Sequence, residues 1–222
     1  KRFARHAALP EVGRDEVLFC YLPLFHTFGR FLEMMGMLYW HGTYVFAGNT
    51  SRETFLKRLS EVEPSGLIGI PLRWQQIQDQ CLEKLDPSST DAYEQSVFRS
   101  IVGPRLRWGL SAAGYLPPKT FRFFHRNGVA LCSGFGMTEA TGGISMTPPG
   151  DYRDNSVGIP LPGMAMRLTE QNELEIGGPY LARYTTHFDG DDPDGWTFNA
   201  RTDETWMKTG DLFRIDKAGH YE

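Results

Sequence analysis

The sequence predicts an α/β fold: a parallel or mixed sheet flanked by helices, followed by a smaller β-rich, distorted-barrel subdomain. Three observations carry this. Between Val17 and Cys132, apolar runs of strand length alternate with segments whose apolar residues recur at helical spacing, as in strands joined by crossover helices. From about Gly143 the character changes. Pro148-Pro149-Gly150, Pro160, Pro162-Gly163, Gly177-Gly178-Pro179 and Gly190 to Gly195 punctuate short strand-like runs, the habit of a small antiparallel sheet or barrel. Finally, 222 residues at 41% hydrophobic and 23% charged match an ordinary soluble globular chain with a sizeable core. The boundary is expected near residues 143 to 150, dividing an α/β subdomain, 1–145, from a β-rich one, 146–222.

In chain order, Lys1 to Ala8 reads as the tail of a helix and Pro10 to Asp15 as a turn cluster. Val17 to Leu24 is apolar enough for a buried strand, and the Met-rich Phe31 to Trp40 for a buried helix. Gly42 to Ala47 is a second strand. Ser51 is placed to cap a helix carrying Phe55, Leu56, Leu59 and Val62. Gly66 to Ile70 is a strand stopped by Pro71, and Trp74 to Leu85 an amphipathic helix. After a loop from Asp86 to Thr90, a helix runs to about Ser100. Leu106 to Leu110 is a strand, Pro117-Pro118 opens a helix to about Asn127, and Val129 to Cys132 is the next strand. Ala165 to Thr169 and Glu173 to Ile176 are strands of the second part.

Several function classes recede on composition. A net charge of −4, with no Lys/Arg cluster beyond Lys1-Arg2, leaves no basic field for nucleic acid. No apolar run reaches the roughly 18 residues of a membrane-spanning helix. Cys20, Cys81 and Cys132 lie far apart without CxxC spacing, which argues against a zinc site or disulfide framework and fits a reducing compartment. A cytoplasmic location is expected, with peripheral membrane contact left open. Lys1 is no natural start, so a piece of a longer protein is expected.

The chemistry concentrates in CSGFGMTEATGG, Cys132 to Gly143, expected as a glycine-rich loop after the strand. Gly134 and Gly136 let backbone approach a ligand closely. Phe135 between them offers a flat face for a base, and Thr138-Glu139 a hydroxyl and a carboxylate for phosphate and Mg2+. Open α/β proteins bind ligands in loops beyond the carboxyl ends of their strands. A nucleotide site is therefore expected, although Thr138-Glu139 alone reads first as a helix-start pair.

Further motifs occur in order: LPLFHTFGR at 22–30, IPLRWQQI at 70–77, LRWGLSAAGYLPP at 106–118, SVGIPLPGM at 156–164, ELEIGGPYL at 173–181 and WMKTGDLFRIDKAGHYE at 206–222. With CSGFGMTEATGG, they make the chain resemble the adenylate-forming superfamily, and within it the acyl-CoA synthetases of long-chain type. The resemblance implies part of that family's large N-terminal domain. It implies a ligase that joins a fatty acid to coenzyme A through an acyl-adenylate, with ATP/AMP, Mg2+ and coenzyme A as cofactors and co-substrates.

Residue by residue, the resemblance implies that Phe135, where Tyr is usual, stacks on adenine. Thr138 would reach the α-phosphate, Glu139 would hold Mg2+, and Gly134, Gly136 and Met137 would shape the pocket. Ser111, Ala112, Ala113 and Gly114 match a small-residue strand end beside adenine, with alanines where glycines are frequent. Asp211, in Thr209-Gly210-Asp211, would accept hydrogen bonds from both ribose hydroxyls; its plain reading is a turn aspartate. His26 would line the acyl and thioester-forming site, or be structural. Phe28, Phe31, Met34, Met35 and Trp74 are either acyl-tunnel lining or core. The family's phosphate-binding loop, hinge and C-terminal domain are not among these residues. The chain is therefore expected to depend on the remainder of its parent chain and to be inactive alone. Two other readings stand beside this one. One is a non-catalytic nucleotide- or acyl-binding module. The other is a serine hydrolase using Ser111 in Gly109-Leu110-Ser111-Ala112-Ala113, whose closing glycine comes one position late.

Overall fold

The computed structural model of the chain describes residues 8–9, 11–48, 51–182 and 206–222. The expected helix tail before Ala8 and the glycines at 190 and 195 lie outside them. Five parallel strands come first: β1 (Val17–Cys20), β2 (Thr43–Phe46), β3 (Gly66–Gly69), β4 (Trp108–Ser111) and β5 (Ala130–Met137). With β6 (Gly142–Met146) and β7 (Ile159–Pro160), which run antiparallel, they form a seven-stranded sheet in the order β2-β1-β3-β4-β5-β6-β7. A second, three-stranded antiparallel sheet, β10-β9-β8, is built from β8 (Ala165–Leu168), β9 (Glu173–Gly177) and β10 (Trp206–Leu212).

Helices make the crossovers that parallel pairing demands. A wide π-helical turn, Phe28–Met34, runs into α1 (Met35–Trp40) between β1 and β2. Next come α2 (Arg52–Val62), α3 (Pro71–Leu82), α4 (Asp91–Val102) and α5 (Pro118–Arg126). Their starts are written locally. The Ser51 hydroxyl accepts from the Thr54 amide at 3.3 Å, Thr90 does the same for Tyr93 at 3.2 Å, and α3 and α5 each open on a proline, whose missing N–H is no loss there.

The strands read as continuous apolar runs because both faces of the sheet are covered. Phe19, Leu67 and Leu131 pack on one side with Trp74, Phe98 and Phe124. Leu18, Cys20, Ile68, Leu110 and Cys132 pack on the other with Met37, Trp40 and Trp108. Gly66 has no side chain because the Trp108 indole fills the space a Cβ would need. At the amino ends of the strands, buried Glu16 accepts from the Trp108 indole N–H at 2.9 Å and also pairs with Ser65 and Arg107, tying β1, β3 and β4 together. All three cysteines are buried and free.

Three expectations need correction. The first strand ends at Cys20 rather than Leu24, because Pro23 cannot donate to a ladder and its carbonyl instead closes a turn with the His26 amide. The helix expected over Phe31–Trp40 starts at Phe28 and is buried on one side only, with Leu38 and Tyr39 exposed. The glycine-rich stretch after Cys132 is not a loop. β5 continues through Met137 because β6 returns to pair with it.

The aromatic cluster beneath the sheet is the part of the core most sensitive to truncation. Phe124, fully buried, meets Trp74 edge-on at 4.9 Å and Phe98 at 5.7 Å. Phe124→Ala is expected to destabilise the fold by about 3–5 kcal/mol, read as a lowered urea midpoint at unchanged slope.

Candidate functional site

The carboxyl ends of β4 and β5 and the segment after β1 border two adjoining cavities. The first, about 230 Å3, is lined mainly by apolar side chains, among them Phe28, Phe31, Leu32, Met35, Trp40 and Met146. The second, about 400 Å3, has Phe121, Tyr152 and Asn155 in its wall. Ala113 and the run Gly134-Phe135-Gly136 border both.

The hairpin of β5 and β6 builds this partition. Its strands approach so closely that a Cβ on Gly136 would lie 2.5 Å from the Gly142 carbonyl oxygen, so only glycine fits. Phe135 meets Phe213 edge-on at 5.2 Å, which joins the hairpin to the segment after β10. Thr138 opens a 3-10 turn, Thr138–Ala140, and does not act as a side-chain cap, which corrects the helix-start reading. The turn is pinned from outside: Thr141 donates to the Tyr180 carbonyl at 2.6 Å, and the Ala182 amide to that of Glu139 at 2.5 Å.

Thus His26, Ala112, Ala113, Gly134, Phe135, Gly136, Met137 and Thr138 all border the first cavity, and Gly114 the second. Ser111, Glu139 and Asp211 line neither. Glu139 is half-buried on the 3-10 turn. Asp211 is exposed on β10 within a register shift between Lys208 and Leu212, two residues before Phe213, whose ring touches Phe135. The neighbouring tunnel candidates divide: Phe28, Phe31 and Met35 line the first cavity, while Trp74 is core on the opposite face of the sheet. His26 is held by turns at both ends, and its Nδ1 accepts from the Phe28 amide at 3.2 Å.

The hydrolase reading fails on geometry. Ser111 Oγ is buried with no hydrogen-bond partner among the described residues. A Ser–His–carboxylate arrangement does exist at Ser156, 3.3 Å from His220 Nδ1, with Nε2 3.2 Å from Asp151. Yet Ser156 is buried, accepts from the Gly158 amide at 2.8 Å and donates to the Tyr221 carbonyl at 3.1 Å. It fastens a wall of the second cavity to the last residues of the chain and offers no nucleophile. Sequence reading missed it because its members lie more than 60 positions apart.

A model of the AMP-binding enzyme family matches residues 2–181. The chain belongs to that family. This AMP-binding enzyme chain is 27% identical over 245 residues to the long-chain-fatty-acid–CoA ligase ACSBG1 of Rattus norvegicus, covering 95% of itself and 34% of that protein. It therefore spans about a third of the length of the curated relatives it matches. Its fold superposes with TM-score 0.75, at 21% identity, on the anthranilate CoA ligase AuaEII in complex with anthranoyl-AMP, covering 99% of this chain and 41% of that one. It superposes with TM-score 0.68, at 19% identity, on o-succinylbenzoate CoA synthetase from Bacillus subtilis in complex with ATP and magnesium, covering 98% and 43%. At such identities the structural likeness is one of fold.

Sequence reading also passed over Glu33, fully buried on the π-helical turn behind the first cavity. Burial pushes its pKa up to about 9, against smaller downward pulls from the Leu22 and Tyr21 amides that face it. The folded chain keeps Glu33 protonated at neutral pH, while the unfolded chain ionises it above about 4.5. Stability is therefore lost as pH rises from 4.5 toward 9. Glu33→Gln, which mimics the neutral acid, is expected to gain on the wild type by up to about 1.4 kcal/mol per pH unit between pH 5 and 8. Urea midpoints across that range check it, and a pH-independent offset would show the carboxyl to be ionised in the fold.

Proposed function

We propose that this chain forms the adenosine- and acyl-binding part of an AMP-forming acid–CoA ligase acting on a fatty acid. The observation that carries the reading is the pair of cavities sharing one wall: an apolar one beside Thr138 and His26, and one with aromatic walls beyond Phe135. An acyl-adenylate has that shape, a flat base and an apolar chain joined through a phosphate. In the first step a carboxylate oxygen attacks the α-phosphorus of ATP and the bridging oxygen leaves with pyrophosphate. In the second the thiolate sulfur of coenzyme A attacks the acyl carbonyl, the carbon–oxygen bond to the phosphate breaks, and AMP leaves. A carboxylate alone is a poor electrophile, so the protein's contribution is positioning and charge stabilisation.

In this reading Phe135 stacks on adenine, Gly134, Gly136 and Met137 shape the wall, and Ser111 to Gly114 flank the base. Thr138 hydrogen-bonds the α-phosphate and Asp211 the ribose hydroxyls. His26 lies where acid and thiol meet. Magnesium would neutralise phosphate charge. Among the described residues no three acidic, His or Cys side chains gather, and this ion is commonly held through one carboxylate plus substrate phosphates. Glu139, beside Thr138, fits that habit. The division into 1–145 and 146–222 and a cytoplasmic location belong to the same proposal. Among the described residues no helix is long and apolar enough to cross a membrane.

The acid's tail should be uncharged. Among the described residues that line the first cavity there is no Lys, Arg, Asp or Glu, and His26 is its only ionisable side chain, so a second carboxylate among the apolar side chains away from His26 would be buried at a cost. Calorimetric titration of the chain with stable acyl-AMP mimics tests both points. A dodecanoyl mimic is expected to bind at least about tenfold more tightly than a succinyl one, and equal affinity would overturn the apolar-tail assignment. Asp211→Ala is expected to weaken the dodecanoyl mimic about tenfold or more, and unchanged affinity would remove Asp211 from the ribose site.

A further inference from the structure

We propose that Asn155 reads the base in the second cavity, selecting adenine over guanine; this rests on the nucleotide reading of that cavity. The polar side chains in its wall are Tyr115, Ser133, Tyr152, Asn155 and Ser156. Ser156 is consumed by its bonds to Gly158 and Tyr221. Of the rest, Asn155 alone carries a donor and an acceptor side by side on one rigid plane.

Its side chain is exposed, and the loop that carries it is fixed from several directions. Asn155 sits at φ 64°, a left-handed conformation that asparagine tolerates better than most residues. The loop on either side of it is fastened to the terminal segment by Val157 N–H donating to the Tyr221 carbonyl at 2.8 Å and by the His220–Asp151 pair. Phe121 and Tyr152 stack at 4.2 Å and 18° in the same wall, next to the loop. Tyr115, from the loop after β4, donates its hydroxyl to Asn155 Oδ1 at 3.2 Å across the rim of the cavity, where both side chains are exposed. The Asn155 Nδ2 group makes no hydrogen bond among the described residues.

A base stacked on Phe135 would meet this amide edge-on. Adenine presents an amine donor at N6 beside an acceptor at N7, the complement of a carboxamide. Its N6 would take the place of the Tyr115 hydroxyl on Oδ1 while Nδ2 donates to N7. Guanine presents two acceptors on that edge, so one group of the amide would face a like group whichever way it turns.

The test is calorimetric titration of the chain with AMP and with GMP, for the wild type, Asn155→Ala and Tyr115→Phe. The wild type is expected to prefer AMP by roughly tenfold or more, Asn155→Ala to lose most of that preference, and Tyr115→Phe to keep it. If Asn155→Ala keeps the preference, weakens both nucleotides alike, or is matched by Tyr115→Phe, the assignment falls and the contact is only a clasp. If the wild type binds neither nucleotide, the nucleotide reading of the cavity falls and takes this assignment with it.

Discussion

The site depends on one strand that has to pair in two senses. Residues Ala130 to Ser133 of β5 run parallel to β4, and Gly134 to Met137 run antiparallel to β6. Where β5 outruns β4 its backbone is paired instead by β6, which the 3-10 turn at Thr138–Ala140 sends straight back. The register slips between Phe135 and Gly136, where the chains come closest. That overrun projects Phe135 and Thr138 beyond the ends of β1, β3 and β4. The cavities on either side are the space the shorter strands leave.

The small sheet then packs on the projecting hairpin. Ala140 and Ile144 are buried with Leu174, Ile176 and Tyr221, and Phe135, Met137 and Phe213 close over them. This links Asp211 to Phe135 through two residues of chain and one ring contact. It also explains why the loop from Asp151 to Gly158 is tied to residues 214–222 by a buried serine, a histidine pair and backbone bonds. A cavity wall made of loop needs such fastenings, since loops have little packing of their own.

Much of the fold was legible because a sheet covered on both faces writes each strand as an apolar run and each crossover as a helical stripe. The Ser51 cap and Pro117-Pro118 placed the starts of α2 and α5 well, and the loop from Asp86 to Thr90 that of α4. What was not legible shares a physical cause, a partner distant in sequence. Gly134 to Met137 look like a loop until β6 is known to pair with them. Glu33 carries no mark within its Met-rich run until the Tyr21 and Leu22 amides after β1 are seen facing it. Asp211 has the local signature of a turn aspartate, and only the resemblance singled it out. Asn155 belongs to no motif and acquires meaning only from the cavity it borders.

The alanines at the end of β4 show how far the chain departs from a glycine-rich wall, and in which direction. Ala113 adopts φ 63°, a left-handed conformation that disfavours a side chain by roughly 1–2 kcal/mol. Such strain persists only where the surroundings impose it. Here the Ala112 amide is bonded to the Gly69 carbonyl at 3.3 Å and Gly114, at φ 153°, completes the reversal into α5. Glycine at 113 would relieve the strain but leave the unfolded chain with more freedom to lose, so the two effects oppose and the wall would be easier to deform. Alanine instead adds a methyl group and narrows the accessible conformations where the two cavities meet. The partition is thereby stiffened at the point where, on the proposed reading, base and acyl chain must be held apart.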